Sequence, residues 1–173
     1  MNKLYLIIIT SAQNVNIHDL ITVLGYGELI PVKNIDLYDS GVIYGLSLGA
    51  YHDKVLISDH NRIFDFFGEG VLQYEQKLYD LFPQSEIVVL NLYSVIDGYG
   101  YSIIRDGKRK RIKHGSHEAV YYDFGEKTIE EIVVDEEYPV DDSHAGRLTV
   151  EYLLEKYLGN EKGWGDVKLV QYK

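Results

Sequence analysis

The dipeptide Asp106-Gly107 constrains the fold of this chain more than any other feature, because it lies between two strand-like stretches, "YGYSIIR" and "KRKRIKH". Asp-Gly is a common pair in the two-residue type I′ turn that joins neighbouring antiparallel strands. Such a turn fixes the register by placing Arg105 opposite Lys108. The sequence therefore predicts a β-hairpin over residues 99–114.

The predicted register assigns the side chains of this hairpin to two faces. The residues predicted to pack inward are Tyr99, Tyr101, Ile103 and Ile112. The opposite face carries Arg109, Arg111 and Lys113, which are predicted to face solvent and are called the basic stripe below. We therefore expect a protruding basic hairpin whose charged strand is guarded against edge-to-edge aggregation.

The basic stripe is a predicted contact surface, and the charge balance of the chain limits its partners. The 173 residues include 27 acidic and 17 basic side chains, which gives a net charge of -10. This excess repels polyphosphate, so we expect no nucleic-acid partner. Two alternatives stay open: an acidic protein partner, or the acidic segment 126–142 of the chain itself, which can pair within one molecule or between copies in a homo-oligomer. The predicted binding residues are Arg109, Arg111, Lys113, Tyr99 and Tyr101.

Hydrophobic periodicity predicts an α+β fold. The apolar run Leu4–Ile9 is typical of a strand buried on both faces, and apolar residues spaced three and four apart over residues 61–82 indicate helices. We expect a single domain over residues 1–160, with a mixed β-sheet and helices mainly on one side of it. Residues 161–173 are predicted to form a C-terminal tail that can add a late strand.

The absence of cysteine excludes disulfides, thiolate metal sites and cysteine nucleophiles. The six histidines fit no known metal-ligand frame, and no glycine motif for phosphate binding is present, so we expect neither a metal nor a cofactor. The run Leu4–Ile9 is too short for a signal peptide or a membrane span. We therefore expect a cytoplasmic protein without a membrane partner.

Ser47, Asp97 and His117 are weak catalytic candidates, with His144 as the alternative histidine. Ser47 lies in "GLSLG", which matches the G-x-S-x-G pattern of a nucleophile elbow, and Asp97 and His117 or His144 follow it in hydrolase order. The elbow requires a sharp turn between a strand and a helix, whereas Ser47 lies inside an alternating, strand-like stretch. Asp97 precedes Gly98, and Asp-Gly is first a turn signal.

Residues 88–126 carry a strand, the motif "YSVID", an aromatic hairpin and a basic second strand after the Asp-Gly turn. This stretch resembles a bacterial domain-of-unknown-function family. The matching positions are Tyr93, Ser94, Val95, Asp97, Tyr99, Tyr101, Asp106 and Gly107. The resemblance implies a shared fold and no assigned activity.

Because no convincing catalytic set is present, we expect a non-enzymatic protein-interaction module of the regulatory or toxin-neutralising kind. The aromatic residues and the basic stripe are its predicted contacts. The alternative is a hydrolase that uses Ser47 or Asp97 with a histidine.

Overall fold

The structure is a computed structural model that describes residues 3–12, 15–41, 45–139, 143–160 and 164–173. Nine strands lie in these ranges: β1 Lys3–Ile9, β2 Pro31–Asp36, β3 Leu46–Tyr51, β4 Lys54–Asp59, β5 Ile87–Tyr93, β6 Gly98–Arg105, β7 Lys108–Gly115, β8 Val120–Gly125 and β9 Lys168–Tyr172. The helices are α1 Ile17–Val23, α2 Leu37–Ser40, α3 Gln73–Leu81, α4 Ile129–Glu137 and α5 Ser143–Leu158, with short 3-10 helices at Ile63–Phe66 and Ser94–Ile96. No helix in these ranges is long and apolar enough to cross a membrane.

The nine strands form one sheet in the order β2-β9-β3-β4-β1-β5-β6-β7-β8. Every pairing is antiparallel, so the fold is α+β but the predicted mixed sheet is wrong. Four neighbouring pairs, β3–β4, β5–β6, β6–β7 and β7–β8, are joined by short connections, and such connections permit only antiparallel neighbours.

Both faces of the sheet are covered, and β1 shows why. Leu4, Leu6 and Ile8 lie in one buried cluster, while Tyr5, Ile7 and Ile9 lie in another, as the alternation of a strand requires. The cluster around Leu4 includes apolar side chains of α2 and α5, and the cluster around Tyr5 includes those of α1 and α3. The prediction of helices mainly on one side is therefore wrong, because a strand that is apolar on both faces needs cover on both.

The C-terminal segment predicted as a tail supplies β9, which lies inside the sheet between β2 and β3. Val167 and Leu169 are fully buried, so this strand belongs to the core. Residues 161–163 lie outside the described ranges. Pro31, which has no backbone donor, lies in β2, the outermost strand on this side of the sheet.

The predicted hairpin turn is confirmed, but its register changes three residues later. Asp106 and Gly107 have φ of 53° and 63°, as a type I′ turn requires, and Arg105 pairs with Lys108. A β-bulge follows, because Ile104 pairs with Arg109 whereas Ile103 pairs with Arg111. The extra residue moves Arg111 to the face that carries Tyr99, Tyr101 and Ile103, and moves Ile112 to the other face.

The basic strand β7 lies inside the sheet, since it pairs with β6 on one side and with β8 on the other. The predicted protruding hairpin with a charged outer strand is therefore wrong. The outermost strand on this side is β8.

Candidate functional site

Arg111, at the centre of the basic stripe, is buried in an internal ion-pair cluster. It is 1% exposed and binds Glu131 of α4 with two nitrogens, Nε to Oε2 at 2.7 Å and Nη2 to Oε1 at 2.6 Å. Its Nη1 donates to the carbonyl of Phe124 at 2.9 Å and pairs with Asp123. This bidentate geometry fixes α4 against the sheet.

The tyrosines predicted as contacts are also core residues. Tyr101 is fully buried, and burial raises the pKa of its hydroxyl far above the ordinary value, an effect that the Glu131 carboxylate increases. Tyr99 is 2% exposed and packs so closely on α5 that a Cβ at Gly146 would lie 2.4 Å from its ring. Neither ring is available to a partner on the surface.

The other members of the basic stripe are neutralised as well. The side chain of Arg109 is 7% exposed, and its Nε donates to Oε1 of Glu75 at 2.5 Å. Burial raises the pKa of Glu75, although the Arg109 guanidinium acts in the opposite direction. Lys113 is buried and lies opposite Asp123 across β7 and β8. The expectation that the stripe faces solvent is therefore wrong, and the alternative in which the chain's own acidic segment binds it is correct for Arg111 and Glu131.

Ser47 has no access to a substrate. It is 1% exposed in the middle of the sheet, where β3 pairs with β4 and β9. The glycines of "GLSLG" have structural roles instead. Gly45 has φ of 112°, a conformation that favours glycine, and at Gly49 a Cβ would lie 2.5 Å from the carbonyl oxygen of Lys168. The strand-turn-helix geometry of a nucleophile elbow is absent at this position.

Asp97 lines a polar cleft of about 190 Å³ between the β5–β6 connection and the first turns of α5. The lining residues are Leu92, Tyr93, Ser94, Asp97, Gly98, Ser143, His144 and Arg147. His117 is not among them: its Nδ1 lies 2.9 Å from the carbonyl oxygen of Ile96, behind the connection. The cleft therefore brings Asp97 together with His144, while His117 and Ser47 lie elsewhere.

The structure also contains an exposed apolar surface that the sequence reasoning missed. On α4, Ile129 is 73% exposed, Ile132 45% and Val133 44%, whereas Glu131 and Val134 face inward. The spacing of the exposed residues places them on one side of the helix. We call these three residues the α4 stripe.

The outermost strand β8 lies next to α4 in the chain, and a groove of about 550 Å³ has both Phe124 and Ile129 in its lining. Val120, Tyr121 and Phe124 of β8 are also exposed, but Phe124 pairs with Ile112, so its side chain lies on the face of the sheet opposite to Arg111 and α4. We call the α4 stripe together with the adjoining edge of β8 the β8–α4 surface. One sequence signal could have indicated which side of α4 faces outward. This signal is the capping box of Thr128 and Glu131, which sets the first residue of the helix.

Within the described ranges, no group of three or more histidine or acidic side chains could hold a metal ion. Comparisons add no relative: no family model, no curated protein and no solved structure matches the chain. The resemblance of residues 88–126 to a bacterial family stays a prediction.

Proposed function

We propose that this protein is a binding module that contacts a protein partner through the β8–α4 surface. The observation that carries the proposal is the orientation of α4, which buries a glutamate and exposes three aliphatic residues on its outer side. Contiguous exposed apolar side chains are typical of contact sites, and scattered single ones are not. A cytoplasmic location stays a prediction.

The ion pair explains why α4 has this orientation. Glu131 must face inward to bind Arg111, and Ile129, Ile132 and Val133 then face outward because of the helical period. Exposing three aliphatic side chains forgoes the free energy of their burial. A partner that covers the outer side of α4 would recover it.

The two outer strands of the sheet support this location. On β2, Pro31 lacks a donor, Lys33 is charged and exposed, and the register is irregular between these residues, all of which discourage pairing with another strand. On β8 a bulge interrupts only the start of the strand, and the single charged side chain, Asp123, is engaged by Arg111. The β8 edge is therefore the more available of the two.

Most of the cations that line the groove beside this surface are already paired within the chain, which does not favour a strongly acidic partner. Arg105 pairs with Glu86, Lys127 with Asp135 and Lys156 with Glu130, whereas Lys110 is exposed and makes no ion pair with the residues that the structure describes. Affinity is expected to come from apolar contacts, with the charged rim contributing selectivity.

The test is an affinity capture from source-cell lysate with the native protein, Ile132→Glu and the matched control Val32→Glu. Val32 is 49% exposed on β2, similar to Ile132, so the control introduces the same charge on the opposite border of the sheet. The proposal predicts a partner that the native protein and the control hold and that Ile132→Glu loses. Equal capture by all three folded proteins, or no capture by any, would contradict it.

A further inference from the structure

The polar cleft beside Asp97 is separate from the β8–α4 surface and contains opposite charges that do not neutralise each other. Asp97 comes from the β5–β6 connection, and Arg147 comes from the second turn of α5. No ion pair joins these two residues, although both line a space of only about 190 Å³. The cleft therefore presents a carboxylate and a guanidinium to the same small volume.

The backbone at Asp97 is strained. Asp97 adopts the left-handed conformation, with φ of 46° and ψ of 37°. Glycine adopts this conformation without a steric cost, and aspartate is among the few other residues that tolerate it. Asp97 is exposed, and its carboxylate makes no hydrogen bond or ion pair with any residue that the structure describes, so it is open to a ligand in the cleft.

Arg147 has capacity for a ligand as well. Its Nε donates to Oε1 of Glu151 at 2.9 Å. The two terminal nitrogens have no partner among the described residues, and a guanidinium with both of them available can bind a carboxylate through two parallel hydrogen bonds. The hydroxyls of Ser94 and Ser143 and the ring of His144 add further hydrogen-bonding groups to the lining.

We propose that this cleft binds a small zwitterion, with the carboxylate of the ligand on Arg147 and its ammonium group on Asp97; a free α-amino acid is the simplest molecule of this class. The volume equals that of about six water molecules at roughly 30 Å³ each, which suits a ligand of this size. A simple anion would place a negative charge beside the carboxylate of Asp97, and a simple amine would make no use of the two terminal nitrogens of Arg147. A ligand with both charges contacts both side chains favourably.

The experiment is a titration of the folded protein with a panel of α-amino acids, followed by amide chemical shifts in two-dimensional NMR. Each amino acid is compared with the amine that lacks its carboxylate and with the acid that lacks its ammonium group. At least one amino acid is expected to shift the amides of Gly98 and of the first turns of α5, and both matched compounds are expected to bind about tenfold more weakly.

Two variants and two controls test whether the Asp97 carboxylate and the Arg147 guanidinium bind the ligand. Asp97→Asn keeps a residue that tolerates the left-handed backbone, and Arg147→Gln removes the guanidinium; each is expected to weaken binding about tenfold. The controls are Asp39→Asn, at an exposed aspartate, and Arg105→Gln, at an arginine whose side chain is 53% exposed compared with 45% for Arg147. The controls are expected to leave binding unchanged.

Two results would overturn the proposal. In the first, no amino acid shifts the amides around the cleft. In the second, the acid without an ammonium group binds as well as the amino acid and Asp97→Asn has no effect, which would make the cleft a plain anion site. Either result leaves the role of the β8–α4 surface untouched, since that surface is tested by capture of a protein partner.

Discussion

Replacing Asp59 with asparagine is expected to stabilise the protein at neutral pH and not in acid. Asp59 is fully buried at the end of β4, and its Oδ1 accepts the backbone N–H of Asn61 at 3.0 Å. Its Oδ2 is buried without a hydrogen-bond partner among the described residues. Burial raises the pKa of Asp59 to about 6 from 3.8, despite the opposing effects of the Asn61 N–H and the nearby Arg62.

The sign follows from the direction of this shift. A carboxyl group whose pKa is higher in the folded protein than in the unfolded chain favours folding while it is protonated. The native protein therefore loses stability as the pH rises from about 3.8 through about 6, where the unfolded chain releases the proton more readily. A difference of about two pKa units corresponds to about 3 kcal/mol at neutral pH, at 1.36 kcal/mol per unit.

The assay is urea unfolding of the native protein and Asp59→Asn over a pH series. The free energy of unfolding of the variant, minus that of the native protein, is expected to rise by about 3 kcal/mol between about pH 3 and about pH 7. Any constant cost of burying the amide cancels in this comparison. Asp39→Asn, at an exposed position, is the control and is expected to give a small pH-dependent change. A difference that stays flat with pH for Asp59→Asn would show that burial does not raise the pKa of the Asp59 carboxyl.

Three further experiments test the core and Ser47. Arg111→Met is expected to destabilise the protein by roughly 3–5 kcal/mol in urea unfolding, because it leaves Glu131 buried without its partner. Adding Glu131→Leu is expected to recover much of that loss, and a small effect of the single change would contradict the buried ion pair. Gly146→Ala would place a methyl group 2.4 Å from an aromatic ring and is expected to cost about 1–3 kcal/mol, whereas Gly165→Ala, with open space around it, should cost far less. A fluorophosphonate probe should not label Ser47, because this serine is 1% exposed; labelling that disappears in Ser47→Ala would show the opposite.

The sequence predicted the elements whose signals are local. The buried run of β1 and the type I′ turn at Asp106 are confirmed, since each depends on a few consecutive residues. The faces of β7 were assigned wrongly because one bulge residue reverses the alternation for the remainder of the strand. A lysine-arginine repeat gives no sign of where such an extra residue lies.

The candidate sites depend on contacts between distant segments, so less of them could be predicted. The phase of α4 results from a bond between Arg111 and Glu131, and a buried arginine is difficult to recognise in a strand of basic residues. Asp97 was singled out beforehand, and His144 was named as an alternative partner for it. Arg147 was not predicted, because only the packing of α5 against β6 brings the residues of this helix to the β5–β6 connection.

Site-specific photo-crosslinking in the source cells can show whether a protein covers the β8–α4 surface. A photoreactive amino acid is placed at Ile132 in one protein and at Val32 in another, two exposed positions on opposite borders of the sheet. If a partner covers this surface, a discrete covalent adduct with another protein or a second copy of this chain is expected from position 132, and none from position 32. Absence of an adduct at position 132, or the same adducts from both positions, would contradict the proposal.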